Sequence, residues 1–406
     1  MQKDNTNLIH FSILSYIDKG LAFVLPLIVL YVFNDRVVYN ELEYAYSIAN
    51  ILVYVFSVGY CYSFYGYKIS DDKDFYLSRY IGVSCVSVLL TAVILTIISL
   101  IWPSIDPSLS VLVAGLITAR TVLLLFVSFF STYYRLIDKP VRVIYLSLSV
   151  CFSILTLLTL QYIINTKYNL LYSFAIPELL IPIVFCFCLL LKINIPLWSY
   201  LKDYYKASVI YSWPIVVNCF LALGVSNFGK IYAFNYMSDD DMYIFSYTMR
   251  ISMVIWLAHN SIVAYYGKKI FMDEFNKSIA FKYLLFLMGS TVLSLMIIII
   301  LNNISKYQIP LNLSVFIIFA YNIVFCCGSF LEGFYGRANK NMILMYITII
   351  SALVFIIIMW CIPEKTILSI STGMLSYAIL RFIFMIYGLD KLGQIYNFKK
   401  SNNFPL

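Results

Sequence analysis

The stretch YLLFLMGSTVLSLMIIIILNN (residues 283–303) runs without a single charged side chain, and from Leu293 to Leu301 only Ser294 interrupts an apolar surface on every face. A helix of that length crosses the roughly 30 Å hydrocarbon core of a bilayer. A β-barrel strand would alternate apolar and polar residues instead. Similar runs recur along the chain between polar breaks, and they predict twelve transmembrane helices: 8–32, 44–66, 79–101, 109–131, 143–164, 170–191, 209–234, 243–266, 283–303, 312–334, 343–362 and 367–389. The fold class is therefore an all-α polytopic membrane protein. Composition agrees, because 62% of the 406 residues are hydrophobic and only 12% are charged, about half the charged share of soluble domains.

The net charge of +8 is mostly loop charge. With the N-terminus inside, 19 of the 28 Lys and Arg residues fall in cytoplasmic segments. Only Arg36, Lys167, Lys306 and Lys365 fall outside, which predicts that both termini are cytoplasmic. Positive loops of this kind fix topology and touch anionic lipid, so they do not argue for nucleic acid. The first apolar stretch lacks a small-residue cleavage pattern and reads as a retained helix. The longest loops, 192–208 and 267–282, are cytoplasmic and too short for a folded extramembrane domain, so the chemistry is expected within the membrane.

Sliding the chain against itself gives matches at an offset of 201 residues. Tyr31, Phe33 and Asn34 meet Tyr232, Phe234 and Asn235; Tyr46 meets Tyr247; Tyr65, Gly66 and Lys68 meet Tyr266, Gly267 and Lys269. Ser128, Phe129, Tyr134, Lys139 and Tyr145 meet Ser329, Phe330, Tyr335, Lys340 and Tyr346. The matches predict two six-helix lobes, 1–200 and 201–406, of parallel orientation about an axis along the membrane normal.

No enzyme signature emerges. GVSNFGKI (224–231) falls one residue short of a phosphate loop, with Ile231 where the magnesium-binding Ser or Thr belongs, and it lies inside an apolar run. The two histidines, His10 and His259, have no metal-binding spacing. The pairs Cys186/Cys188 and Cys326/Cys327 lack zinc-ligand spacing and read as small packing residues. The sequence asks for no metal and no cofactor.

The informative residues are the charges inside helices: Asp18, Lys19, Arg120, Glu178, Lys230, Arg250, Glu332 and Arg381. Each costs roughly 3 kcal/mol at the bilayer centre on insertion scales, so they should face protein, water or one another. Arg120 and Glu178 lie at similar depth in the first lobe and are expected to form a structural pair, as are Glu332 and Arg381 in the second. That leaves Asp18, Lys19, Lys230 and Arg250, with net charge +2. Lys230 and Arg250 flank the turn at residue 240 symmetrically, at one depth on adjacent helices, where two cations repel unless an anion lies between them. They either snorkel to the outer surface or form, with Lys19, a cationic cavity for a phosphate or pyrophosphate, Asp18 serving as counter-ion or coupling group. Asn50, Asn218, Asn227 and His259 offer polar partners for sugar hydroxyls, or ordinary interhelical hydrogen bonds.

The stretch SNFGKIYAFNYMSDDDMYIFSYTMRIS (226–252) resembles the bacterial O-antigen/polysaccharide repeat-unit flippases of the multidrug/oligosaccharidyl-lipid/polysaccharide exporter superfamily. The family pattern is Ser-x-x-Asp-Arg, a short apolar stretch, an acidic turn, then aromatic-Ser and a basic residue. Here Lys230 stands for the Arg, Gly229 replaces the Asp, and Phe245-Ser246 with Arg250 follow. An acidic turn with Tyr46-Ser47 recurs after helix 1.

The resemblance implies translocation of undecaprenyl-pyrophosphate-linked oligosaccharide repeat units from the cytoplasmic to the periplasmic leaflet of the bacterial inner membrane. It further implies alternating access coupled to an ion gradient, with helices 1, 2, 7 and 8 lining the cavity. The lipid-linked glycan and membrane lipids are the implied partners, along with the glycan polymerase and chain-length regulator. A drug/cation antiporter of the same superfamily is the alternative, although such a cavity would be rich in carboxylates. A membrane-embedded glycan polymerase would need a large outer loop that the sequence lacks.

Overall fold

The structure, a computed structural model, describes residues 2–57, 73–105, 110–137, 139, 141–164, 169–192, 198–272, 277–304, 308–337, 340–363 and 365–391. Among these are twelve helices and no strand. They are α1 (Gln2–Tyr31), α2 (Arg36–Ser57), α3 (Lys73–Ile105), α4 (Val111–Leu136), α5 (Val141–Ile164), α6 (Leu171–Leu190), α7 (Trp198–Tyr236), α8 (Asp239–Met272), α9 (Lys277–Ile304), α10 (Leu313–Arg337), α11 (Asn341–Cys361) and α12 (Ile367–Lys391). The protein is a multi-pass membrane protein. Ten of the helices are long and apolar enough to span a bilayer, and large apolar side chains such as Trp360, Ile163 and Leu191 stand exposed along them, as lipid contact requires and water does not favour.

The two helices outside that set, α2 and α8, are the more polar ones. They occupy the same place in each half of the chain. α2 buries Asn40, Glu43 and Ser47, and α8 opens on Asp239, Asp240 and Asp241 and buries Arg250 and His259.

Several boundaries differ from the sequence reading. α7 begins at Trp198 and α8 ends at Met272, so much of the expected loop 192–208 and the start of 267–282 are helix. Amphipathic sequence flanking an apolar run continues the helix past the hydrocarbon edge, where hydropathy alone stops counting. GVSNFGKI lies wholly inside α7, without the strand-to-helix turn of a phosphate loop. The end of the expected second helix, including Tyr65, Gly66 and Lys68, lies outside the described residues.

The chain divides into two compact units, Met1–Val216 and Val217–Leu406, with the division inside α7. In the first, α4 is central and packs on α2, α3 and α6, while α5 packs on α1. Its core gathers Tyr80, Phe126, Phe129, Phe130 and Cys186, and the Tyr80 hydroxyl donates to the Phe129 carbonyl at 3.1 Å. In the second unit α10 takes the corresponding place, packing on α8 and α12, around Phe245, Tyr321, Phe325, Phe355 and Tyr377.

The turns entering α2 and α8 use short polar caps. Asn34 takes a left-handed conformation (φ 55°), which Asn tolerates better than most residues. The next residue, Asp35, accepts from the Val38 amide at 3.0 Å and caps α2. Ser238 accepts from the Asp241 amide at 3.2 Å and caps α8, each satisfying one of the open donors of a helix start.

Candidate functional site: two buried charge clusters

In the first unit, side chains from five helices converge. Asp18 (α1), Tyr46 (α2), Arg120 (α4), Ser147 and Cys151 (α5) and Glu178 (α6) line a cavity of about 90 Å³ whose other walls include Leu25, Leu123 and Ile154. Arg120 Nη1 donates to Glu178 Oε1 at 2.8 Å, the Tyr46 hydroxyl donates to the same oxygen at 2.9 Å, and the guanidinium lies 4.2 Å from the Tyr46 ring centroid. The carboxylate is fully buried, so a charge-assisted hydrogen bond and a phenol donor replace the water it lost.

Three buried atoms in this cluster keep unused capacity: Asp18 Oδ1, Arg120 Nε and Glu178 Oε2 have no protein partner. Such groups normally find water or a ligand, and a cavity of this size accommodates several waters. Lys19, by contrast, has its side chain 56% exposed and sits 3.9 Å from Asp18; the adjacent positions point the acid inward and the base outward.

In the second unit Arg381 (α12) is the hub. Its Nη2 donates to Glu332 (α10) at 2.6 Å and to Asn218 Oδ1 (α7) at 3.2 Å, and its Nε donates to Thr348 Oγ1 (α11) at 3.0 Å. Thr348 in turn donates to Asn218 at 2.6 Å. Both units thus join their fourth and sixth helices by an ion pair, with the polarity reversed: the base is on α4 in one and on α12 in the other.

Asn218 therefore sits in the Arg381 network. His259 is turned toward α9 and α10: its Nδ1 lies 2.6 Å from the Tyr283 hydroxyl, which donates to the Cys326 carbonyl at 2.9 Å. Since that hydroxyl has one proton, His259 must donate through Nδ1, which fixes its tautomer. Asn227 bonds the Leu223 carbonyl of its own helix at 2.9 Å, and Asn50 is half-buried on α2. Of the four polar side chains read from the sequence as sugar partners or interhelical hydrogen-bonding groups, Asn218 and His259 make interhelical hydrogen bonds within the second unit.

Lys230 and Arg250 are both buried, at 8% and 5% exposure. Near them Gly229 packs directly on α8. A Cβ at that position would fall about 2.2 Å from the Phe245 ring, itself fully buried. An aspartate at 229 would collide with Phe245. Gly229→Val is expected to lower thermal stability in detergent by about 1–3 kcal/mol through overpacking, read as a lower midpoint in a size-exclusion melting series. An unchanged midpoint would contradict this packing.

Sequence reasoning missed Tyr46, Ser147 and Cys151 as lining residues and Thr348 and Tyr283 as network members. Only Tyr46 carried a signal, its match to Tyr247 across the repeat. The others are ordinary small or aromatic residues in apolar helices, and only three-dimensional convergence marks them.

Neither the protein-family models nor the curated proteins contain a match to this chain. Solved structures do. The chain superposes on the lipid II flippase MurJ in an inward closed conformation with a TM-score of 0.59 and 15% identity, over 94% of this chain and 87% of that one. The two chains share a fold. An inward-facing multidrug resistance MATE family transporter of the MOP superfamily shares it to the same degree, with a TM-score of 0.59 and 13% identity over 95% of both chains. The likeness extends over nearly the whole of this chain in both comparisons.

Proposed function

We propose that the protein is a flippase for undecaprenyl-pyrophosphate-linked oligosaccharide repeat units, carrying them from the cytoplasmic to the periplasmic leaflet of the bacterial inner membrane by alternating access. The observation that carries the reading is the burial of Lys230 and Arg250 on adjacent helices of an exporter scaffold. Two buried cations on neighbouring helices suit an anionic head group better than a cationic drug. The polar character of α2 and α8 supports the same reading, since a sugar-filled path needs hydrogen-bonding walls.

In this account Lys230 and Arg250 hold the pyrophosphate, and the glycan crosses inside while the polyprenyl tail stays in lipid. Both termini are cytoplasmic. The Asp18 cavity supplies ion coupling: a buried carboxylate with an open oxygen beside water-sized space can exchange a cation between conformations. The Arg120–Glu178 and Glu332–Arg381 pairs hold each unit together. The glycan polymerase and chain-length regulator are partners in this reading.

Reconstitution in vesicles tests it. Wild type is expected to move undecaprenyl-pyrophosphate-linked oligosaccharide between leaflets under an imposed ion gradient, and Asp18→Asn is expected to abolish the gradient's effect while sparing slow exchange. Extrusion of cationic dyes with no movement of the lipid-linked sugar would favour the antiporter alternative.

A further inference from the structure

The cavity of the first unit carries a pattern of donors and acceptors that selects its occupant. Asp18 is 5% exposed and Glu178 fully buried, and both line the cavity together with Arg120. Glu178 Oε1 already holds two donors, Arg120 Nη1 and the Tyr46 hydroxyl. Two carboxylate oxygens, Asp18 Oδ1 and Glu178 Oε2, and one N–H, Arg120 Nε, stay open.

Two cationic groups border these oxygens. Arg120 keeps its charge at any physiological pH, and the Lys19 ammonium lies 3.9 Å from the other Asp18 oxygen, Oδ2. A bare metal ion entering the cavity would stand against both. It would also lack ligands. Hard cations gather about six oxygens, whereas Glu178 Oε1 is engaged twice, Asp18 Oδ2 faces Lys19, and Arg120 Nε can only donate. Leu25, Leu123 and Ile154 in the walls offer no side-chain oxygen. Water fits where a metal ion does not. One donor and two acceptors are the complement of a water molecule, which accepts from one N–H and donates to two carboxylates.

We propose that the ion coupled to transport is a proton, bound as an O–H on Asp18 Oδ1 and exchanged through water in this cavity, and that the site discriminates against sodium and potassium. The proposal rests on the ion-coupled flippase reading for its biological meaning. The titratable and charged groups that line the cavity with Asp18 are Lys19 on α1, Tyr46 on α2, Arg120 on α4, Cys151 on α5 and Glu178 on α6. Glu178 is held by two donors while Asp18 Oδ1 has none, so Asp18 is the carboxyl that loads. Proton uptake takes Asp18 from −1 to neutral and turns Oδ1 from an acceptor into a donor. Arg120 stays with Glu178 throughout, so loading breaks no ion pair between α4 and α6.

The test uses purified full-length protein in detergent, with no lipid-linked substrate present. Infrared difference spectra between alkaline and acidic buffer report the carboxyl groups that take up protons, and subtracting the Asp18→Asn spectrum removes all but one. Wild type is expected to show one protonated-carboxyl band that Asp18→Asn loses, with the same midpoint in sodium, potassium and choline chloride. Asp18→Glu, which keeps a carboxyl, should keep a band at a shifted position; it separates a lost proton site from a damaged fold. Absence of any band that depends on residue 18 would overturn the proposal. So would a wild-type midpoint that moves to lower pH as sodium or potassium replaces choline, because that makes the metal ion a competitor for the same oxygen. Failure of the flippase reading shows elsewhere, in the lipid-linked intermediates of a deletion strain: the Asp18 band without such intermediates leaves the proton site standing and removes only the cargo it is coupled to.

Discussion

Arg120→Ala is expected to cost the folded protein about 3–5 kcal/mol, because it removes the charge partner of a fully buried carboxylate. Glu178 Oε1 would keep only the Tyr46 hydroxyl, and Oε2 has no protein partner to begin with. The loss should appear as reduced membrane abundance and a lower melting midpoint in detergent, with transport per surviving molecule much less affected. Replacing both partners, as Arg120→Met with Glu178→Leu, should recover much of the abundance, since a well-packed apolar pair leaves no buried charge. Normal abundance with lost transport in Arg120→Ala would move Arg120 from the scaffold to the transport path.

Lys230 and Arg250 are expected to behave in the opposite way. Changing both to Gln should abolish transport while abundance stays near wild type, because the neutral amides keep most of the volume and hydrogen bonding but not the attraction to a pyrophosphate. Arg250→Glu should be worse than Arg250→Gln, since it adds repulsion to the lost attraction. Lys230→Arg should be tolerated better than Lys230→Gln, yet imperfectly, as a planar fork replaces a point charge. Glycan export at matched protein levels in a complemented deletion strain measures all four. Wild-type export by the double Gln variant would end the cationic-site account.

These two predictions come from different layers of what the sequence made legible. Helix number and class were plain, since uncharged runs such as 283–303 have no other stable form in a membrane. Helix ends were not: α7 starts at Trp198 because its polar first turns are amphipathic, and hydropathy reads those turns as loop. Depth along helices was also readable, and the structure brings Arg120 to Glu178 and Arg381 to Glu332. What depth cannot give is rotation about the helix axis. His259 and Arg250 share α8 at positions nine apart, which sets them on opposite faces at about 100° per residue, and so His259 meets Tyr283 instead of the region of Arg250. Asn218 was assigned by its helix alone, and its partners Thr348 and Arg381 lie more than a hundred residues away in the chain.

The central claim, that this scaffold moves a pyrophosphate-linked glycan across the membrane, is tested most directly by the lipid-linked intermediates of a deletion strain, separated by leaflet through their accessibility to a membrane-impermeant periodate label. The account predicts single, unpolymerised repeat units on undecaprenyl pyrophosphate accumulating in the inner leaflet, shielded from the label until the cells are opened. Accumulation of single units in the outer leaflet, open to label in intact cells, would contradict it and place the protein after the flipping step.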